Sequence, residues 1–162
     1  MSAPASQAGS PADVARVYGS VPIPTAPSAQ PIASASEGHP TILEMGAPVR
    51  VSLPGSVRAV VTALGPVELT PAPGTPSTPG IITVDVVTEQ GTLTVAAGDF
   101  SSRDETGRVV TLQPRSARSV TATPGHPARV VVRGTYDGGA AQVTWRHDGR
   151  VVAVWDFNIE LD

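Results

Sequence analysis

An all-β chain, folded as a two-sheet antiparallel sandwich behind an extended Pro/Ala/Ser-rich N-terminal arm, is the fold class this sequence predicts. Three observations predict it. Short Val-rich runs separated by Gly, Pro and Asp fill the chain from Gly46 to Asp162, a grammar of strands and tight turns. No segment of ordinary helical length carries an apolar period of 3.6 residues. The first 45 residues hold seven prolines, nine alanines and seven serines, and their apolar side chains are too scattered to make a face of either kind. The chain therefore divides into an arm over 1–45 and a sandwich over 46–162.

In the arm, each X-Pro step removes a backbone donor and biases the preceding residue towards extended geometry, so Val21-Pro-Ile-Pro-Thr-Ala-Pro27 reads as polyproline-like. Pro11 to Tyr18, preceded by Ser10, can form a capped helical turn with Val14, Val17 and Tyr18 on one side. An extended segment that spaces Ile23, Ile32 and Ile42 between prolines suits docking along a sheet edge or in a groove, because proline has already fixed much of its backbone. Val17, Tyr18, Val21, Ile23 and Ile32 are the expected partner-binding residues.

The strands follow in order. Val49, Val51 and Leu53 alternate with Arg50 and Ser52; Val57 to Leu64 and Val67 to Leu69 come next. After a Pro/Gly/Thr loop from Pro71 to Gly80, Ile82, Val84 and Val86 alternate with Thr83 and Asp85, and Leu93, Val95 and Ala97 repeat the pattern. Further strands are expected at Arg108 to Leu112, Ser119 to Thr123 and Ala128 to Gly134. The last pair is joined by Asp148-Gly149, a type I′ hairpin signal, since both central residues need positive φ. It places Val143 and Trp145 on one strand and Ala153, Trp155, Phe157, Ile159 and Leu161 on one face of the next. A slip of one residue would expose that whole set, so the register is strongly specified. About eight or nine strands result, the size of an immunoglobulin-like domain. With two residues each of Trp, Phe and Tyr, the core is aliphatic, and Trp145 and Trp155 are its largest candidates.

Composition excludes several chemistries. The chain of 162 residues has no cysteine and no lysine. Disulfides, thiolate metal sites, thiol nucleophiles, Schiff bases, a P-loop lysine and lysine isopeptide staples are all ruled out. Net charge −3 gives no basic footprint for nucleic acid. The start Met1-Ser-Ala-Pro-Ala-Ser is not that of a secretory signal, and no window has the apolar length of a membrane span.

The pattern resembles a family of small actinobacterial extracytoplasmic proteins of immunoglobulin-like fold that includes a secreted immunogenic antigen of mycobacteria. The resemblance rests on Gly46-Ala-Pro-Val-Arg-Val, Gly91 to Phe100, the charged turn Arg103-Asp-Glu-Thr-Gly107, Thr123-Pro-Gly125 leading into Ala128 to Gly134, and the strand around Val154-Trp-Asp156. It implies a two-sheet sandwich without enzymatic activity, exposed on or outside a cell.

Four constellations invite chemistry, and each has a plainer reading. Asp99, Asp104 and Glu105 offer oxygens for calcium but lack EF-hand spacing, and Arg103 competes with a cation, so a solvated turn is expected. His39 and His126 sit in Gly-His-Pro turns and His147 precedes the hairpin turn; zinc needs three or four convergent ligands, and the spacing shows no convergence. No Gly-x-Ser-x-Gly elbow supports a triad. Arg115 and Arg118, with Arg129 and Arg133, read as solubilising charges.

The resulting expectation is a non-catalytic protein–protein interaction module, cell-surface or secreted, with the arm as tether or docking segment. The alternative is a structural or decorating component of a large assembly such as a phage virion, made in the cytoplasm, with the arm ordered on neighbouring subunits. An enzyme is a distant third. No cofactor, metal site, nucleic-acid partner or membrane span is expected.

Overall fold

The computed structural model describes residues 31–70 and 73–161, and within them the Val-rich runs become thirteen strands: β1 (Ala33–Ser36), β2 (Thr41–Glu44), β3 (Pro48–Leu53), β4 (Val57–Glu68), β5 (Ser77–Gln90), β6 (Leu93–Ala96), β7 (Phe100–Asp104), β8 (Val109–Val110), β9 (Gln113–Pro114), β10 (Ser119–Ala122), β11 (Ala128–Asp137), β12 (Gly139–His147) and β13 (Arg150–Ile159). One 3-10 turn, Ala97–Asp99, leads into β7. A six-stranded sheet runs β1-β3-β4-β5-β11-β9, a five-stranded sheet runs β2-β13-β12-β7-β8, and β10 pairs with β6 apart from both. Pairing is antiparallel except at β1 with β3 and β2 with β13.

Alternation builds the interior. Val49, Val51, Val61, Ile82, Val84, Val130 and Val132 from the larger sheet are fully buried, as are Val143, Trp145 and Trp155 from the smaller. They form one continuous core. Trp145 stacks on Phe100 at 6.4 Å between centroids, and the Trp155 indole N–H donates to the Ala47 carbonyl at 2.9 Å. Tyr136 packs edge-on against Phe157 and donates to Ser102 Oγ at 3.2 Å, which in turn donates to the Gln142 carbonyl at 2.7 Å. A polar chain thus crosses the core from β11 to β7 and β12, each hydroxyl having an acceptor. Burial raises the Tyr136 phenol's pKa above its ordinary value, against the opposing hydrogen bond to Ser102.

The terminal hairpin turns at Asp148 and Gly149 with φ of 48° and 77°, as the Asp-Gly signal predicts. Its ladder contains a bulge: Trp145 faces Ala153 while Arg146 faces Val151, so Val152 is the extra residue. Val152 and Ala153 are consequently both buried, because a bulge lets two successive side chains turn inward.

Several expectations need correction. Residues 33–36 and 41–44, placed in the arm by composition, are strands of the sandwich, and the compact unit begins at Ile32. The segments read as Val57 to Leu64 and Val67 to Leu69 are one strand, β4, and the Pro71 to Gly80 loop yields to β5 at Ser77. Arg108 to Leu112 shrinks to the two residues of β8, while Phe100–Asp104 is a strand that went unread. Leu161 is exposed, not inward.

β1 and β2 are edges of different sheets, and so are β8 and β9. On each open side of the sandwich a single segment leaves one sheet and joins the other. Residues just after β2 complete the first crossing: Met45 N–H donates to Asp156 of β13, and Gly46 N–H to Ala63 of β4. At the second, Gly134 leaves room for the crossing chain, since a Cβ there would lie 2.9 Å from Val110 and 3.0 Å from Leu112.

Candidate functional site

The outer face of the six-stranded sheet is unusually apolar for a water-facing surface. Register places Val60 opposite Val87, and Leu64 and Val131 opposite Thr83, with parity opposite to the buried Ala59, Val61, Ala63, Ile82, Val84 and Val86, and the register shift after Leu64 brings Val67 to the same face opposite Ile81. Leu64, Val67 and Val87 are 39%, 63% and 50% exposed. Two charged pairs on this face are closed within the chain, while Arg133, opposite Ile81, is exposed and makes no ion pair among the described residues. Arg50 grips Glu89 through Nε and Nη2 at 3.1 and 3.0 Å, and Arg129 grips Asp85 through Nε and Nη2 at 2.6 and 3.1 Å. The bond to Asp85 and its charge raise the Arg129 pKa further. Such bidentate pairs hold their geometry but leave little net charge to meet a partner. Arg129 is therefore no free member of a basic patch; its closed pair with Asp85 crosses the face between Val87 and Val131, and Arg133 adds one cation beside Ile81 to a face otherwise rich in aliphatic side chains.

The opposite outer face, on the five-stranded sheet, carries an open cleft of about 760 Å³ lined in part by Glu44, Arg103, Gln142, Asp156 and Asn158. The first four form one transverse row: Glu44 faces Asp156, Asp156 faces Gln142, and Gln142 faces Arg103. No histidine, serine or threonine lines it. Ile42, on the neighbouring edge strand β2, is 72% exposed.

The acidic residues considered for calcium do not share a loop. Asp99 accepts the Ala96 N–H at 2.8 Å and closes the 3-10 turn, and Glu105 accepts the Ala140 N–H at 3.3 Å. Asp104 accepts from the Thr106 hydroxyl, the Thr106 and Arg108 N–H groups and the Arg108 guanidinium at 2.7–3.0 Å. These donors, the Thr106 hydroxyl foremost, hold the Asp104 carboxyl below its ordinary pKa of 3.8 against the opposing effect of burial.

His39 and His126 each close a two-residue bridge, with Ser36 and Thr123. His147 has a different setting: its Nδ1 lies 2.8 Å from Glu37 Oε1 and 3.7 Å from Asp148 Oδ2. Glu37 belongs to the turn between β1 and β2, 110 residues away, so the contact ties the first sheet crossing to the β12–β13 hairpin. Glu37, His147 and Asp148 each bring a ligand-type atom within 4.8 Å of the others. The three histidines do not come together, but His147 meets two carboxylates, a juxtaposition that nothing in the sequence spacing signals. Among the described residues no hydroxyl hydrogen-bonds to a histidine, and with no cysteine or lysine in the chain no activated nucleophile is assembled there.

Of the expected partner-binding residues, Val17, Tyr18, Val21 and Ile23 lie outside the described residues, and Ile32 is half-buried just ahead of β1. The apolar outer face had a signal in the sequence that alternation hides. Val-Arg-Ala-Val-Val-Thr-Ala-Leu (57–64), the Ile81-Ile82 pair and Val130-Val131-Val132 are runs too continuous for a strand with one wet face.

The class these features define is a cysteine-free, all-β sandwich of two mainly antiparallel sheets. Its fold is similar to that of MPT63, a secreted protein from Mycobacterium tuberculosis, at 17% identity and a TM-score of 0.56 over 73% of this chain and 98% of that one. The resemblance read from the sequence therefore holds at the level of fold. An uncharacterized β-sandwich protein from Clostridium difficile 630 aligns at 10% identity with a TM-score of 0.44, over 74% of this chain and 95% of that one. No protein-family model matches the sequence, and no curated protein matches it. Among the described residues no helix is long and apolar enough to cross a membrane.

Proposed function

We propose that this protein is a non-catalytic protein–protein interaction module of the cell surface or extracellular space, which meets its partner through the outer face of the six-stranded sheet. The observation that carries the reading is the run of aliphatic side chains Val60, Leu64, Val67, Ile81, Val87 and Val131 on one water-facing sheet surface, where Arg133 stands as a cation without an ion pair among the described residues. A soluble sandwich gains nothing in stability from such side chains in water, whereas an interface core is built from them with charges kept to the rim. The secreted protein of similar fold supports the location, and the Pro/Ala/Ser-rich N-terminal segment is read as the tether or docking arm.

The test uses the full chain immobilised and exposed to cell-envelope and culture-supernatant proteins of an actinobacterium. Val87→Asp, alone and with Val67→Asp, is expected to leave the thermal transition within about 2 °C, because exposed substitutions rarely exceed about 0.5 kcal/mol. It is expected to abolish retention of the partner that the unaltered chain captures. Retention by both chains rejects this face; failure of the unaltered chain to retain any protein rejects the interaction reading.

A further inference from the structure

We propose that Glu37, His147 and Asp148 form a binding site for a divalent transition-metal ion of the zinc class at the first sheet crossing. This site does not depend on the interaction reading. Three ligands, two carboxylates and one imidazole, converge from two segments 110 residues apart. The two deeper ones are held in place before any ion arrives, since the side chains of Glu37 and His147 are only 14% and 20% exposed. Asp148 is 83% exposed and stands in a type I′ turn whose backbone is fixed while its side chain is free to swing.

The distances fit. Zinc bonds nitrogen and carboxylate oxygen at about 2.0–2.2 Å, which puts two ligands of one ion roughly 3 Å apart. His147 Nδ1 lies 2.8 Å from Glu37 and 3.7 Å from Asp148, so a small rotation of Asp148 closes the set. One imidazole proton can satisfy one carboxylate, and two carboxylates converge on this nitrogen. An ion at that point serves both. Arg150, which faces His147 in register, makes no ion pair with either carboxylate among the described residues and does not neutralise them.

Chemistry selects the class of ion. A single imidazole nitrogen with two carboxylates favours a borderline cation over calcium or magnesium, which seek shells of oxygen. To ligate through Nδ1, the neutral ring carries its proton on Nε2, so binding competes with protonation. Three protein ligands leave the solvent side of the ion to water. Bound there, the ion would fasten the β1–β2 turn to the tip of the terminal hairpin.

The experiment is calorimetric and thermal titration of the chelator-treated full chain with zinc chloride, with cobalt as a spectroscopic probe of nitrogen and oxygen ligation. One equivalent is expected to bind and to raise Tm as zinc increases. His147→Ala is expected to abolish binding, and Glu37→Gln and Asp148→Asn to weaken it at least about tenfold. Asp148→Asn carries the test if His147→Ala fails to fold, because its side chain is exposed. The double variant His39→Ala/His126→Ala is expected to bind normally. The proposal is overturned by absence of saturable binding at millimolar zinc, by undiminished affinity in Asp148→Asn, by loss in the His39/His126 variant, or by an equal response to calcium.

Discussion

At the scale of single residues, the two tryptophans occupy equivalent depths but different chemistry. Both are fully buried, yet the Trp155 N–H donates to Ala47 while the Trp145 N–H has no acceptor among the described residues. Trp155→Phe therefore removes volume and a hydrogen bond, and Trp145→Phe removes volume and relieves an unpaired donor. Urea denaturation should show the Trp155 variant to be the less stable of the two by about 1 kcal/mol, the usual net worth of one such bond. Equal losses would show that the bond to Ala47 contributes nothing. Two glycines separate in the same way. At Gly149 a Cβ meets nothing within 4 Å but φ is +77°, so Gly149→Ala should cost about 1–2 kcal/mol for the left-handed backbone. At Gly134 the backbone is ordinary and the space is filled by Val110, Leu112 and Tyr136, so Gly134→Ala should cost about 1–3 kcal/mol through overpacking. Truncating Leu112 to Ala in the same chain should recover part of the loss at Gly134 and none at Gly149.

At the scale of elements, what the sequence shows depends on whether a strand has one wet face. β3, β5 and β13 were legible because Val49-Val51-Leu53, Ile82-Val84-Val86 and Ala153-Trp155-Phe157-Ile159 alternate without interruption. β1, with the sequence Ala-Ser-Ala-Ser, and β2, with Thr-Ile-Leu-Glu, are four-residue parallel edges, paired with β3 and β13, and too short and mixed in composition to leave a local pattern. β7, Phe-Ser-Ser-Arg-Asp, hides for another reason: the side chain it buries beside Phe100 is Ser102, a polar residue satisfied by Tyr136 and Gln142. The Glu37–His147 contact is invisible on similar grounds, being made by the fold alone. The turn between β7 and β8 gives a pH-dependent prediction. Because the Asp104 pKa is lowered in the folded chain, its contribution to stability is present above the unfolded value near 3.8 and is lost as pH falls through the folded one. Asp104→Asn should thus melt below the unaltered chain at pH 7, with the gap closing as the pH drops below about 4. A gap that stays constant down to pH 2 would assign the effect to packing.

At the scale of the whole molecule, the boundary between arm and sandwich becomes a measurement. Removing residues 2–30 should leave the thermal transition unchanged while detaching the protein from whatever the arm holds. Removing residues 2–40 also takes β1 and Glu37, and should lower Tm by several degrees. A fall of the same size in both truncations would place structural work in the first thirty residues.

The two segments that change sheets have a consequence for how this protein keeps company. A sandwich ordinarily exposes four strand margins, each a template on which another chain can extend the ladder. Here the margins of the two main sheets are β1, β2, β8 and β9, of four, four, two and two residues, and the segments that carry them cross between the sheets, which shortens the rows of donors and acceptors that a foreign strand meets there. Strand addition is thereby disfavoured at these four margins in a molecule that has no disulfide to lock it. Neighbours are left with broad faces to meet, so association of this protein should saturate at discrete complexes and not propagate into fibres.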